Sequence, residues 1–124
     1  MQFRESQPIY LQIADHVCEK ILLKEWPPDE RIPSVRELAV QLEVNPNTVM
    51  RTYEFLQERE IIVNQRGIGF FVTTGGIRQA TDYRMESFLE KDLPHVFRSM
   101  VLLGMEPPQL IKPYEKFKKQ FLGR

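Results

Sequence analysis

Five polar side chains are gathered between positions 45 and 52, a stretch that also begins a predicted helix. An amide can pair bidentately with adenine and a guanidinium with guanine, while a threonine methyl group can contact the methyl group of thymine. These residue types therefore suit the reading of base edges in double-stranded DNA. For each of them the alternative is a helix face that is merely solvated. The five are Asn45, Asn47, Thr48, Arg51 and Thr52.

Two helix starts would position these side chains. Ser34 and Glu37 form a capping-box pattern, in which each side chain accepts a hydrogen bond from the backbone N–H of the other. Asn45 is a favourable N-cap, and Pro46 follows at the first helical position, where its fixed φ is compatible with a helix. Two short helices joined by a residue or two form a helix-turn-helix, which places the start of its second helix in the major groove. The buried face of that helix is predicted to contain Val49, Tyr53 and Leu56.

Further candidates for DNA contact flank this pair of helices. Arg36 lies near the start of the first helix, and the Ser34 hydroxyl, although mainly a cap, could also face a phosphate. Beyond the second helix, residues 61–63 and 70–73 read as two short strands of a hairpin, a wing. Arg66 and Gly67 lie at its tip, where glycine lets the backbone approach DNA closely. Residues 74–76 are predicted to be a flexible junction.

The first and last parts of the chain are predicted to be helical. Residues 7 to about 24 carry an apolar stripe with Cys18 inside it, so this cysteine is interpreted as a small core residue. After the junction we expect helices over residues 77–91, from Asp92 to a stop at Gly104, and over about 109–122. The chain is therefore predicted to be mainly α with a small β-hairpin. A winged helix-turn-helix would occupy residues 1–75 and a helical dimerisation segment residues 76–124.

The helices of this tail cannot bury their apolar stripes alone. A two-fold dimer would cover them and would set the spacing of two DNA half-sites. The alternative is a monomer in which the tail folds back on the first domain. The side chains that we expect at the dimer contact are Phe88, Phe97, Met100, Val101 and Leu103.

Composition limits the other classes of function. Residues 1–75 carry eight basic and eleven acidic side chains, a net charge of −3, whereas residues 76–124 carry +3. A DNA-binding surface must therefore lie on one face of an acidic domain. With one cysteine and two distant histidines, no metal site or cofactor is expected. No apolar run is long enough to span a bilayer and no leader pattern precedes the first helix, so we expect a cytoplasmic protein without membrane contact.

The order of these motifs resembles the DNA-binding domain of the GntR family of bacterial regulators. The resemblance covers about residues 7–73, from Pro8-Ile9-Tyr10 through Ile32-Pro33-Ser34-Val35-Arg36 and Val44-Asn45-Pro46-Asn47-Thr48-Val49 to Arg66-Gly67 and Phe71-Val72. The Val-Asn-Pro-Asn-Thr-Val form and the short tail are most similar to the YtrA subfamily. This resemblance implies a homodimeric repressor on a palindromic operator.

The chain departs from the family pattern in two places. Pro46 and Met50 stand where many members have arginines, so those base contacts are not carried over. Glu60 stands where the family often has glycine at the end of a helix, which predicts a less regular joint to the wing.

Three classes of function fit these observations to different degrees. A sequence-specific DNA-binding regulator fits best, and a winged helix that binds protein instead of DNA fits the acidic balance. An enzyme has no support, because the sequence offers no nucleophile–base pair, phosphate loop or metal spacing. The sequence leaves open the operator, the regulated genes, any small-molecule effector, whether the protein represses or activates, and the role of the last helix.

Overall fold

The computed structural model describes residues 7–123, which contain six α-helices and one β-hairpin. The chain divides into two compact units, the first extending to Met85 and the second beginning at Glu86. The predicted fold class, mainly α with a small hairpin, is confirmed. The elements in chain order are α1 (Ile9–Leu22), α2 (Val35–Leu42), α3 (Pro46–Glu58), β1 (Ile62–Gln65), β2 (Gly69–Val72), α4 (Gly76–Ser87), α5 (Leu93–Leu103) and α6 (Ile111–Leu122).

The starts of α2 and α3 have the caps that the sequence predicts. The Ser34 hydroxyl accepts a hydrogen bond from the Glu37 N–H at 3.1 Å, and the Glu37 carboxylate accepts one from the Ser34 N–H at 2.9 Å. The Asn45 side chain accepts a hydrogen bond from the Asn47 N–H at 2.8 Å, with Pro46 in the first turn. These bonds satisfy N–H groups that have no partner inside a helix.

The core of the first unit lies between α1, α2, α3 and the hairpin. The apolar stripe of α1 is fully buried at Ile13, Val17 and Ile21, as its four-residue spacing predicts. Cys18 is also fully buried, and burial raises the pKa of its thiol to about 12. Tyr53 is buried and donates a hydrogen bond from its hydroxyl to the Pro33 carbonyl at 2.6 Å. Both residues belong to the core, as predicted.

The hairpin is joined by a third extended segment that the sequence analysis did not predict. β1 and β2 are antiparallel, with Ile62 opposite Val72 and Gln65 opposite Gly69. The chain just before α2 runs along the other edge of β2, where the Ile32 N–H donates to the Phe70 carbonyl at 2.9 Å. Backbone hydrogen bonds on both sides of β2 hold the hairpin against the helices.

The junction between the hairpin and α4 is packed, which corrects the predicted flexible linker. Gly76 is buried, and its N–H donates to the Thr73 carbonyl at 2.9 Å. A Cβ at this position would lie 2.5 Å from Val72 Cγ1 and 2.9 Å from the Ile61 carbonyl oxygen. Glycine is therefore required here for close packing, because a methyl group has no room.

The joint between α3 and β1 contains a residue in the left-handed region. Glu60 has φ 61°, a conformation that favours glycine because it lacks a Cβ. Its carbonyl accepts a hydrogen bond from the Thr73 hydroxyl at 2.8 Å. The Ile61 N–H donates to the Leu56 carbonyl at 3.0 Å, which is the bond of an ordinary left-handed helix cap, so the less regular joint predicted at Glu60 is not observed.

The first part of α4 packs with the first unit. Ala80 is fully buried, Tyr83 is nearly so, and the Arg84 Nη1 atom lies 3.0 Å from Asp15 Oδ1 on α1. The structural division near Met85 thus lies farther along the chain than the boundary expected between positions 75 and 76. The division into functional parts, 1–75 and 76–124, stays a prediction.

The second unit begins with a change of helix type. Phe88–Asp92 form a π-helical turn, and Ser87 and Asp92 at its ends both have right-handed helical dihedral angles. Asp92 makes no side-chain cap bond and α5 continues directly from the π-helical turn, so the separate helix start predicted at Asp92 is not observed. Pro94 accounts for the wider turn, since proline lacks an N–H and its ring crowds the carbonyl four residues earlier. α5 ends at Gly104, with φ 69°, as predicted.

Candidate nucleic-acid interface

The two helices of the helix-turn-helix are joined by a tight turn. Glu43, the residue after α2, has φ 55° and ψ 48°, a left-handed C-cap. The Val44 N–H donates to the Ala39 carbonyl at 3.0 Å, which closes the last turn of α2. The chain reaches the Asn45 cap one residue later. This geometry sets the start of α3 at the surface of the first unit.

One face of α3 is exposed and carries the polar side chains. Asn47, Met50, Arg51 and Glu54 are exposed, whereas the opposite face is buried. Thr48 is half-buried at the edge of the exposed face. Asn45 is exposed but uses its side-chain oxygen as a cap, which leaves its NH₂ group as the available donor. This exposed face is called the reading face below.

Thr52 does not belong to the reading face, and the prediction for this residue is corrected. Its side chain is fully buried. The hydroxyl lies 2.7 Å from the Tyr10 carbonyl and 3.1 Å from the Thr48 carbonyl. Thr52 therefore joins α3 to α1, and it has no surface with which to touch a base.

Two residues of the reading face were interpreted differently from the sequence, which treated Met50 only as the loss of a family arginine and Glu54 as part of a solvated face turned away from DNA. Met50 is 41% exposed and lies three residues after Asn47, so the two side chains are neighbours on the helix. A methionine there offers an apolar contact of the kind that suits a thymine methyl group. Glu54 lies seven residues after Asn47, nearly two full turns, and so extends the same face with a negative charge. Helical spacing from Asn47 is the signal that could have found both.

The start of α2 presents Arg36 to solvent beside the Ser34 cap. The Ser34 oxygen accepts the capping bond, but its O–H remains able to donate to a phosphate. Hydrogen bonds from Ser34 lower the pKa of Glu37, so this carboxylate is ionised at neutral pH. The capping hydrogen bonds stabilise the negative charge of Glu37, and so does Arg31, whose Nη2 atom lies 3.9 Å from Glu37 Oε1.

The wing tip combines a glycine with open backbone and the exposed side chains of Arg66 and Ile68. Gly67 has φ 80° and nothing within 4 Å of a notional Cβ, so its backbone is open to a ligand. Arg66 beside it is exposed, and Ile68 is 60% exposed. At Gly69 a Cβ would meet Arg31 Nε at 2.8 Å. Because Gly69 has no side chain, the Arg31 side chain can lie against the wing at this position. Arg31 is therefore a further cationic residue near the tip, and the sequence analysis missed it.

An aromatic ring from α1 lies under the Arg51 guanidinium. The Arg51 Cζ atom is 3.8 Å from the centroid of the Tyr10 ring, a cation–π contact. The same ring meets the Phe55 ring edge to face at 6.2 Å between centroids. Arg51 therefore has a defined position at the side of α3 that faces α1.

Most of the residues predicted for dimer contact are exposed in the second unit. Phe88 is 45% exposed, Phe97 52%, Val101 81% and Leu103 73%. Met100 differs, because only 7% of it is exposed. Met100 therefore has little free surface for a partner, which corrects its predicted role as a direct contact.

A metal site and a membrane-spanning helix each have recognisable features, and residues 7–123 show neither set of features. No cluster of three or more histidine, cysteine, aspartate or glutamate side chains suited to a metal ion lies in this range. None of its helices combines the length and the apolar character that a bilayer crossing requires.

A known protein family matches the part of the chain that contains these motifs. A family described as bacterial regulatory proteins, gntR family, matches residues 9–72, a range that runs from the start of α1 to the end of β2. The chain belongs to the GntR family. The HTH-type transcriptional regulator YhcF of Bacillus subtilis is 34% identical to it over 116 residues, covering 94% of each chain. The HTH-type transcriptional repressor YtrA of the same organism is 35% identical over 88 residues, covering 71% of this chain and 68% of YtrA.

Solved GntR-family structures agree with this assignment. A GntR-family transcriptional regulator from Bacteroides thetaiotaomicron has a TM-score of 0.70 at 46% identity, covering 91% of this chain and 98% of that chain. The AraR DNA-binding domain, solved in complex with operator ORR3, has a TM-score of 0.53 at 26% identity and covers 59% of this chain and 86% of its own. The predicted resemblance to the GntR family and to YtrA is confirmed. The chain is thus a transcription regulator with a DNA-binding domain, and not an enzyme.

Proposed function

We propose that the protein is a homodimeric repressor that binds a palindromic operator. The observation that carries this proposal is the exposed reading face of α3, to which the exposed Arg36 on α2 and the exposed wing tip add further surface. No carboxylate stands at the start of α3, where the helix dipole favours a phosphate. The first turn of α3 therefore adds no negative charge of its own to the end of the helix that enters the groove.

Each surface residue has a role that follows from its position. Asn47 and Met50 face bases in the major groove, where an amide suits adenine and a methionine suits thymine. Arg36 meets the backbone or a base edge beside them, and Arg66 enters the minor groove or lies on phosphate. Gly67 brings the wing backbone close. The full set proposed to contact DNA is Ser34, Arg36, Asn45, Asn47, Thr48, Met50, Arg51, Arg66 and Gly67.

The dimer is supported by the apolar surface of the second unit. Val101 and Leu103 are largely exposed on α5, and α6 adds Tyr114 and Phe117, each 62% exposed. Helices whose apolar side chains are exposed in this way need a partner surface, which a second copy of the chain would supply. A two-fold contact would present two reading faces to two inverted half-sites.

Repression is proposed from the relative whose name states it. YtrA, which covers most of the chain, is named a transcriptional repressor. A dimer seated on an operator represses by occupying DNA that the transcription machinery needs. Because bacterial DNA lies in the cytoplasm, the protein acts there.

A gel-shift assay with the DNA upstream of the protein's own gene tests the proposal. We expect wild-type protein to retard this DNA at low salt, and we expect Arg36→Ala and Asn47→Ala to weaken the shift at least tenfold. Arg78→Ala is the matched control, because the Arg78 side chain is 88% exposed on α4 and pairs only weakly with Asp82, at 4.0 Å. No shift by the wild-type protein at low salt would refute DNA binding.

A second candidate function rests on the charge of the first part of the chain. Residues 1–75 carry a net charge of −3, which suits a winged helix that binds a basic protein surface. The same gel shift separates the two candidates. Under the second one the wild-type protein leaves both its own upstream DNA and an unrelated duplex unshifted.

A further inference from the structure

We propose that Tyr10 is a positioning residue that holds Arg51 ready for a phosphate of the DNA backbone. This inference rests on the proposed DNA binding and adds to it the class of group that Arg51 contacts. It starts from the stack of the Arg51 guanidinium on the Tyr10 ring, with 3.8 Å between Cζ and the ring centroid. The two residues come from different helices and are far apart in the sequence.

Two contacts hold Tyr10 in place, one to its backbone carbonyl and one to its ring. The Thr52 hydroxyl donates to the Tyr10 backbone carbonyl at 2.7 Å, which ties the first turn of α1 to α3. The Phe55 ring packs edge to face against the Tyr10 ring, with an interplanar angle of 80°. Tyr10 is half-buried by these contacts, so its ring is a firm support and not a mobile surface side chain.

A stacked guanidinium keeps its hydrogen-bonding edges free. A ring that faces a guanidinium occupies a face of its plane and not the edge, where the five N–H groups lie, so the contact with Tyr10 leaves Arg51 able to donate hydrogen bonds. The stack also removes much of the rotamer freedom of a long side chain before DNA arrives. Ordering such a side chain at an interface ordinarily weakens binding about 2- to 10-fold. Tyr10 reduces that loss in advance.

The direction of the stack favours a phosphate over a base. Successive residues on an α-helix are about 100° apart, which puts Arg51 about 40° from the line through Asn47, on the opposite side from Met50. Tyr10 draws the guanidinium farther that way, toward α1 and away from the centre of the reading face. The wall of the major groove at its edge is sugar–phosphate backbone, for which a planar guanidinium is well suited. This assigns Arg51 to affinity and leaves base readout to Asn47 and Met50.

The test is a double-mutant cycle read by fluorescence anisotropy on two duplexes of equal length, the protein's own upstream sequence and a random sequence. Tyr10→Leu removes the ring, Tyr10→Phe keeps it, and Arg51→Ala removes the charge. We expect Tyr10→Leu to weaken binding about 2- to 10-fold per half-site, by the same factor on both duplexes. Tyr10→Phe should keep at least half of the wild-type affinity, and Tyr10→Leu should have no further effect in the Arg51→Ala background.

The salt dependence gives an independent readout that a purely structural role would not change. Loss of one phosphate contact lowers the slope of log affinity against log salt by about 0.9, so Arg51→Ala should lower it by about 2 for a dimer. Arg51→Lys, which keeps the charge but not the planar stack, should weaken binding as Tyr10→Leu does. This variant carries the test if Tyr10→Leu does not fold.

Several results would overturn the inference. Equal effects of Tyr10→Leu with and without Arg51 would show that the ring acts on something else. A loss confined to the upstream duplex would show that Arg51 reads a base. If the wild-type protein binds neither duplex, the proposed DNA binding itself fails, and this outcome is distinct because it appears before any substitution is made.

Discussion

Two adjacent glycines should respond to alanine in different ways. Gly75 has nothing within 4 Å of a notional Cβ, whereas a Cβ on Gly76 would lie 2.5 Å from Val72 Cγ1 and 2.9 Å from the Ile61 carbonyl oxygen. The Val72 methyl group could rotate away, but the Ile61 carbonyl belongs to the backbone. Gly76→Ala therefore requires a shift of the chain where the hairpin meets α4.

The size of each effect follows from this geometry. Overpacking of a close contact costs about 1–3 kcal/mol, so we expect Gly76→Ala to lower the free energy of unfolding by that amount. At Gly75, alanine restricts the unfolded chain, which raises the free energy of unfolding by about 0.4–1 kcal/mol. Alanine is also a poorer helix cap than glycine, and the Gly75 carbonyl accepts the first bond of α4 from the Gln79 N–H at 3.0 Å. These two effects oppose each other, so Gly75→Ala should change stability by less than about 0.5 kcal/mol.

Thermal and urea unfolding of both variants, followed by circular dichroism, measures the difference. We expect Gly76→Ala to lower Tm by roughly 4–8 °C for each kcal/mol lost, while Gly75→Ala stays near the wild type. If Gly76→Ala is as stable as the wild type or more stable, the junction is a flexible linker and its description as a packed joint is wrong.

Three further predictions concern single side chains. Thr52→Val should lower the free energy of unfolding by about 1–2 kcal/mol, because the fully buried Thr52 hydroxyl no longer bonds to the Tyr10 carbonyl; wild-type stability with lost DNA binding would instead restore Thr52 to the reading face. Glu54→Gln should raise affinity for a random duplex about two- to fivefold, because a carboxylate facing phosphates is removed; unchanged affinity in an anisotropy titration would place Glu54 away from DNA. Because hydrogen bonds lower the pKa of Glu37 in the folded chain, its carboxylate stabilises the fold above its ordinary pKa of about 4.3 and loses this effect as the pH falls through the lowered value. The Tm difference between wild type and Glu37→Gln should therefore shrink in acid, and a difference that grows would contradict the capping box.

Features set by neighbouring residues could be predicted from the sequence. The caps at Ser34 and Asn45 depend on residues two or three positions away, and the stop at Gly104 depends on one residue that tolerates φ 69°. The stripe of α1 and the two strands follow from periodicity. The face of α3 that reads DNA could be located in the same way, because its spacing from Val49 and Tyr53 shows which side is buried.

Features set by distant contacts could not be predicted. Helical spacing puts Thr52 three residues after Val49 and four before Leu56, on the buried side of α3, but only the contact with α1 shows that the Tyr10 carbonyl accepts its hydroxyl. Two glycines in sequence at positions 75 and 76 favour flexibility, and only the position of Val72 shows that one of them is packed. The Arg31 side chain lies beside Gly69 because this glycine has no side chain, and no local sequence pattern indicates that the two residues are close.

Hydroxyl-radical footprinting of the full chain on the DNA upstream of its own gene tests the central claim most directly. The proposed two-fold dimer predicts two protected patches, related by symmetry over an inverted repeat, with centres about one helical turn or a multiple of it apart. It also predicts that Asn47→Ala removes both patches together. A single unsymmetrical patch, or no protection at low salt, would contradict the proposed homodimer on a palindromic operator.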